Sequence, residues 1–157
     1  MRKLLFAFAV VAMICACSGE RQYLSYRNLP MNMSAKAMCD SLLQRGLVFD
    51  SALTDSGRTY VLLNAEEHYR LDIVYNNDTI SDVLEQYAAS YNDSTSELWQ
   101  QMRDKMATEI TTPFLTHRAD LHKEAVFQTD KGTITLTLLN TYMPTLTVRY
   151  SNEVIVK

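Results

Sequence analysis

The sequence predicts an α+β fold in which an antiparallel sheet carries two helices on one face, built from tandem αβββ units. Two stretches, residues 34–45 and 94–110, have apolar residues at helical spacing, and each is followed by stretches in which apolar and polar residues alternate. Alternation is typical of strands with one covered and one solvated face, and short turns between strands favour antiparallel pairing. The expected order is therefore helix, strands, helix, strands, with the second face of the sheet open.

The first helix is predicted over residues 34–45. Ser34 is a good N-cap, and Gly46 stands where a helix end favours a residue that can adopt positive φ. The apolar positions of one face are Met38, Cys39, Leu42 and Leu43. Because Cys39 lies on that face, we interpret it as a small core residue rather than a reactive thiol.

After this helix comes a short apolar run at 47–49, and strands are predicted over residues 58–64 and 68–75. The last of them alternates, with Tyr69, Leu71, Ile73 and Tyr75 on one face and His68, Arg70, Asp72 and Val74 on the other. The stretch that follows is ambiguous, because Ile80, Val83, Leu84 and Tyr87 fit a helical period. It comes straight after a hairpin-like turn at residues 76–78, so we predict a strand over Ile80–Tyr87, with a helix as the alternative.

The second helix is predicted over residues 94–110. Ser94 and Glu97 form a capping box at its start, and Pro113 prevents its continuation. Strands are then predicted over residues 123–129, 133–139 and 145–150, with a turn at 130–132 and a loop at 140–144.

The N-terminal residues predict a bacterial lipoprotein signal. Arg2 and Lys3 precede an apolar run from Leu4 to Ala16, and a cysteine follows directly. The run is shorter than the roughly 17–25 residues of a membrane-spanning helix, as in a cleaved secretory signal. We predict a signal peptide at 1–16, a lipidated Cys17 opening a polar tether at 17–28, and one α+β domain at 29–157. The alternative is an ordinary secretory signal cut nearby.

This signal predicts a lipid-anchored protein of the bacterial cell envelope. Ser18 follows the cysteine in place of the aspartate that retains such proteins in the inner membrane, which favours the outer membrane. Without Arg2 and Lys3 the chain carries 13 basic and 18 acidic residues, a net charge of −5. Such a charge argues against nucleic-acid binding, so the acyl chains on Cys17 are the expected membrane contact. Only Cys39 would remain as a thiol, which excludes an intramolecular disulfide.

The mature part of the chain resembles a group of small Gram-negative envelope lipoproteins. The similar features are Leu29-Pro30-Met31, Gly46, Ser81-Asp82-Val83, Thr112-Pro113, residues 131–136 and residues 148–151. The αβββ arrangement is similar to the folds of β-lactamase-inhibitor protein and of the small lipoprotein of the β-barrel assembly machinery. Those relatives bind other proteins and catalyse nothing, so the resemblance implies a binding role by analogy of fold.

No motif for a nucleophile, a phosphate loop or a zinc site is present in the sequence. We therefore predict no catalytic residue, no cofactor and no metal. His117 and His122 lie five residues apart, a spacing that would not stack them on one helix face. The alternative function is a small hydrolase-like or metal-dependent periplasmic enzyme that uses His68 or the His117/His122 pair.

Nine tyrosines suggest a surface for a partner, because tyrosine combines a large contact area with a polar end. The candidate partner-binding residues are Tyr69, Tyr75 and Arg70. The alternative interpretation is that the tyrosines simply pack the sheet. The predicted function is a non-catalytic binding or assembly module that is anchored to the membrane and recognises an envelope protein.

Overall fold

One eight-stranded antiparallel sheet organises the computed structural model, which describes residues 22–88, 94–111, 113–119 and 121–154. A small two-stranded hairpin and two helices complete the described part of the chain. The elements are β1 (Ser25–Tyr26), β2 (Leu29–Pro30), α1 (Ala35–Gln44), β3 (Val48–Phe49), β4 (Thr59–Asn64), β5 (Tyr69–Asn76), β6 (Thr79–Ala88), α2 (Ser94–Glu109), β7 (Leu115–Arg118), β8 (His122–Gln128), β9 (Thr133–Leu139) and β10 (Thr145–Ser151). The predicted α+β class, with an antiparallel sheet and two helices, is confirmed.

The strand order is β3-β4-β5-β6-β10-β9-β8-β7. Each helix is followed by four strands that pair consecutively, and the last strands of the two series, β6 and β10, meet in the middle of the sheet. In that central pairing Leu84 lies opposite Arg149.

Both helices pack on the same face of the sheet. Helix α1 contacts β4 and β5, whereas α2 contacts β8 and β9. Met38, Leu42 and Trp99 are fully buried in one apolar cluster with the inward side chains of these strands. Cys39 is buried in the same cluster, as predicted for a core residue. The central strands β6 and β10 lie between the two helices, which is what leaves room for a site.

The ambiguous stretch is a strand, which confirms the prediction over Ile80–Tyr87. The hydrogen-bond register shifts between Val74 and Tyr75, so that Val74 lies opposite Asp82 while Tyr75 lies opposite Ile80. This β-bulge makes Ile80 and Val83 both face the core although they are three residues apart. The bulge therefore explains why a strand carries apolar residues at helical spacing.

The end of the predicted tether packs on the domain. Leu24 and Tyr26, assigned above to the tether, are buried, and Ser25–Tyr26 pairs with Leu29–Pro30. Residues 1–21 lie outside the described residues, so the signal peptide and the lipidation of Cys17 stay predictions. No helix among the described residues is long and apolar enough to cross a membrane.

Candidate functional site

A cleft of about 370 Å³ opens between helix α2 and the central strands of the sheet. Tyr26 of the hairpin, Glu85 and Tyr87 of β6, and Tyr150 of β10 line its sheet side. Its other wall is the second half of α2, with Met102, Lys105, Met106, Glu109 and Ile110. We call this space the central cleft.

A buried carboxylate forms the floor of the central cleft. Glu85 is 6% exposed, on the face of the sheet that the helices cover. The Tyr26 hydroxyl donates to Glu85 Oε1 at 2.7 Å, and the Tyr87 hydroxyl donates to Oε2 at 3.0 Å. The hydroxyls of Tyr26 and Tyr69 lie 3.2 Å apart and share a further hydrogen bond. Both carboxylate oxygens therefore have donors, as a buried carboxylate requires.

Burial dominates the electrostatics of this cluster. Burial raises the pKa of Glu85 above its ordinary value, while the hydrogen bonds from Tyr26 and Tyr87 and the charge of Arg27 oppose that shift. Burial, and then the negative charge of Glu85, also raises the pKa of the Tyr26 and Tyr87 phenols. The phenols consequently stay protonated as hydrogen-bond donors.

Charged side chains surround the mouth of the central cleft. Arg27 forms an ion pair with Glu67, and its guanidinium carbon lies 5.4 Å from the centre of the Tyr69 ring. On the helix wall, Lys105 Nζ lies 4.0 Å from Glu109 Oε1. Each of these cations therefore has a carboxylate partner at the rim.

The predicted partner residues do not share a surface. Tyr69 is 3% exposed and lies on the helix-covered face, so burial removes it from any partner surface of the folded chain. Tyr75 lies on that same face and stacks on Tyr60, with ring centres 4.8 Å apart. The hydrogen bond between these two phenols is the main cause that raises the pKa of Tyr60 to about 12. Both tyrosines therefore pack the core side of the sheet, as the alternative interpretation of the tyrosines has it.

Arg70 does lie on the opposite face, which neither helix covers. Its guanidinium donates to both carboxylate oxygens of Asp72, at 2.6 and 2.8 Å, and Gln86 also donates to Asp72 at 3.0 Å. Asp72 is only 8% exposed, so it is a paired group within a network rather than the solvated residue that the pattern predicted. On the same face, Arg149 Nε lies 2.8 Å from Asp82 Oδ1 and forms a second ion pair.

Among the described residues, the most exposed large apolar side chains lie at one end of β8, β9 and β10, and a second exposed group with Val48, Leu53 and Leu63 lies around β3 and β4. Tyr142 is 85% exposed and Met143 75%, and Leu121 and Leu139 are also exposed. The amide of Asn140 donates to the carbonyl of Leu121 at 2.9 Å, which joins the β7–β8 turn to the β9–β10 loop. We call Leu121, Leu139, Tyr142 and Met143 the distal patch. It lies at the opposite end of β9 and β10 from Leu24, whose amide bonds to Asn152 at 3.3 Å.

The three histidines lie in two places. His68 is exposed in the turn between β4 and β5, at positive φ. His117 and His122 lie on the hairpin formed by β7 and β8, with ring centres 5.5 Å apart, and His122 Nε2 is 3.9 Å from Glu124 Oε2. The structure thus brings together a pair that the helical spacing argument separated, because the segment is a hairpin. No histidine lines the central cleft, and the described residues contain no group of three ligands placed to hold a metal.

Comparisons with protein-family models, with curated proteins and with solved structures found no match to this chain.

Glu85 is the residue of the candidate site that sequence reasoning missed. It lies within the predicted strand, but the bulge before it changes which side chains face the core, and that change has no simple sequence signal. Tyr26 was missed because it was assigned to the tether. A buried Glu with two phenol donors is visible only once β1, β5 and β6 are placed together.

Proposed function

We propose that this protein is a lipid-anchored envelope protein that binds another protein without catalysing a reaction. Acyl chains on Cys17 would hold it at the outer membrane, and two tandem units would form its single domain, each with a helix and four strands rather than the predicted three. The distal patch carries the proposal, because it is the place where aromatic and sulfur-containing side chains are most exposed. Tyrosine and methionine are enriched at protein interfaces, and their combined exposure is unusual for a surface without a partner.

The position of the distal patch favours a protein over the lipid surface as its partner. The described chain begins near Leu24, which contacts the end of β10, so the proposed anchor enters the domain there. The patch lies at the other end of seven-residue strands, roughly 20 Å away. A domain held by its first residues would thus point the patch away from the bilayer to which it is anchored.

Anchoring would strengthen even a weak contact. A protein confined to a membrane surface meets a partner on that surface at a high effective concentration. A partner that extends from the patch over the open face would meet the pair of Arg70 with Asp72, which would contribute orientation more than affinity. The pair of Arg149 with Asp82 lies toward the Leu24 end of β10, away from such an interface. This retains Arg70 from the predicted set and replaces the two tyrosines with Tyr142 and Met143.

The alternative of a metal-dependent enzyme rests on the approach of His117 and His122. Two imidazoles 5.5 Å apart suit a divalent metal, but catalytic zinc sites use three protein ligands. Zinc titration of the purified protein tests it. Stoichiometric binding that His117→Ala and His122→Ala both abolish, together with metal-dependent hydrolysis, would support the enzyme in place of the binding protein.

Site-specific photo-crosslinking in intact cells tests the proposed interface. A photo-reactive amino acid at Met143 should give a discrete crosslinked product, because this side chain lies in the distal patch. The matched control is Leu53, which is also an exposed apolar residue but lies in the loop before β4. Equal products from both positions, or none from Met143, would contradict the proposal.

A further inference from the structure

The central cleft has the size and the chemistry of a small-molecule site. Its volume of about 370 Å³ lies within the range of roughly 300–1,000 Å³ that ligand pockets occupy. One wall carries an apolar strip, with Met102 and Met106 half buried beside Ile110, and the charged side chains of Lys105 and Glu109 next to it. The opposite wall is formed by tyrosine rings around Glu85.

Among the described residues that line the central cleft, carboxylates outnumber cations. Two cations and three carboxylates line it, and each cation is matched at the rim, Arg27 with Glu67 and Lys105 with Glu109. Within the described part of the chain, the hydrogen bonds to the Glu85 carboxylate come from the neutral phenols of Tyr26 and Tyr87. A carboxylate can accept about four hydrogen bonds, so it retains acceptor capacity toward the cleft.

The tyrosine rings around the cleft already contact a cation. The guanidinium carbon of Arg27 lies 5.4 Å from the ring centre of Tyr69 and 5.9 Å from that of Tyr26. Tyr150 packs edge-on against Tyr26, with ring centres 5.2 Å apart, so the aromatic surface continues into the cleft. Aromatic faces next to a carboxylate are the usual surroundings of a bound ammonium group.

We propose that the central cleft binds an organic ammonium cation, with its charge toward Glu85 and the tyrosine rings and its hydrocarbon part against Met102 and Met106. A carboxylate ligand is disfavoured because it would meet the buried carboxylate directly. A neutral ligand would leave the excess negative charge of the cleft uncompensated. The inference concerns a small ligand on the helix-covered face and is independent of the partner surface at the distal patch.

Calorimetric titration at about pH 8, where alkylamines are protonated, tests this inference. The probes are butylammonium and tetramethylammonium, with butyrate and 1-butanol as comparators of similar size. Butylammonium should bind saturably at one site, and butyrate should not bind. Glu85→Gln should weaken butylammonium binding at least about tenfold. Ile110→Lys should abolish it, because the new ammonium group competes inside the cleft.

Matched variants separate the site from general charge effects. Thr108→Lys adds the same charge on the same helix outside the cleft lining, and Asp82→Asn removes a carboxylate from the open face. Both should bind butylammonium like the unchanged protein. Where Glu85→Gln fails to fold, Ile110→Lys still decides, since Ile110 is 38% exposed and tolerates a polar side chain. Absence of saturable binding, equal binding of butyrate, or an unchanged affinity in Ile110→Lys would each overturn the proposal.

Discussion

Removing the hydroxyl of Tyr26 should destabilise the fold, and by an amount that depends on pH. Tyr26 is 1% exposed, and its hydroxyl donates to buried Glu85 at 2.7 Å. Tyr26→Phe keeps the ring and deletes this one donor. A hydrogen bond to a charged group contributes about 1.5–3 kcal/mol, so we expect a loss of that size at a pH where Glu85 is ionised.

The pH dependence follows from the raised pKa of Glu85. Because its pKa in the folded state lies above the unfolded value near 4.5, its contribution to stability is fully present below that value. The contribution is lost as the pH rises through the folded pKa. The hydrogen bond from Tyr26 lowers the pKa of Glu85. Tyr26→Phe therefore raises the pKa of Glu85 further, and stability is lost over a wider range of pH. The destabilisation should therefore be smallest in acid and grow once the pH passes the raised folded-state pKa of Glu85, by at most about 1.4 kcal/mol per pH unit.

Urea unfolding at several pH values, followed by the fluorescence of Trp99, measures this effect. Trp99 is the single tryptophan and is 1% exposed, so its emission reports loss of the core. Tyr150→Phe is the matched control, because Tyr150 touches the Tyr26 ring without a hydrogen bond to Glu85. In a Glu85→Gln background the effect of Tyr26→Phe should lose its pH dependence. A destabilisation below about 0.5 kcal/mol at a pH where Glu85 is ionised, or one equal at all pH values, would refute the argument.

Three further outcomes are expected. Gly132→Ala should destabilise the fold by at least about 1–3 kcal/mol, because a Cβ at this position overlaps the backbone of β10. Gly57→Ala is the control: a Cβ there has open space, so only about 1 kcal/mol should be lost in thermal or urea unfolding. Trp99→Ala should lower stability by about 3–5 kcal/mol, and retention of the normal urea midpoint would contradict the described core. In an ultraviolet titration, Tyr87 and Tyr150 should resist ionisation above pH 10, because burial raises the pKa of both phenols. Since the unfolded chain ionises these phenols more readily, stability should fall as the pH rises past their unfolded pKa. Normal titration in the folded state would argue against their burial.

Local signals predicted the helices and most of the strands. Ser34 caps α1, with its Oγ accepting from the amide of Ala37 at 3.1 Å, and Gly46 follows the helix at a φ of +94°. Such signals act within a few residues, so they are readable in the chain itself. The edge strand β7 was missed because all four of its side chains are exposed, which leaves no alternation of apolar and polar residues.

The candidate site could not be predicted in the same way, because its residues are distant in sequence. Tyr26 and Glu85 are 59 residues apart, and they meet only when the first hairpin packs beside β6. The bulge at Val74 decides that Glu85 faces inward, and bulges depend on the pairing of both strands. A local hairpin between β7 and β8 brought His117 next to His122, contrary to a spacing argument that assumed a helix.

Crosslinking and affinity capture from native membranes tests the central claim, that a lipid-anchored domain binds an envelope protein through its distal patch. The comparison uses the unchanged protein, Cys17→Ser, and the double variants Tyr142→Ser/Met143→Ser and Val48→Ser/Leu53→Ser. The last is the matched control, since Val48 and Leu53 are also exposed but belong to the other half of the chain. We predict a defined partner that the control retains, that the patch variant loses, and that Cys17→Ser captures far more weakly. Undiminished capture by the patch variant, or the same proteins captured with an unrelated lipoprotein, would contradict the claim.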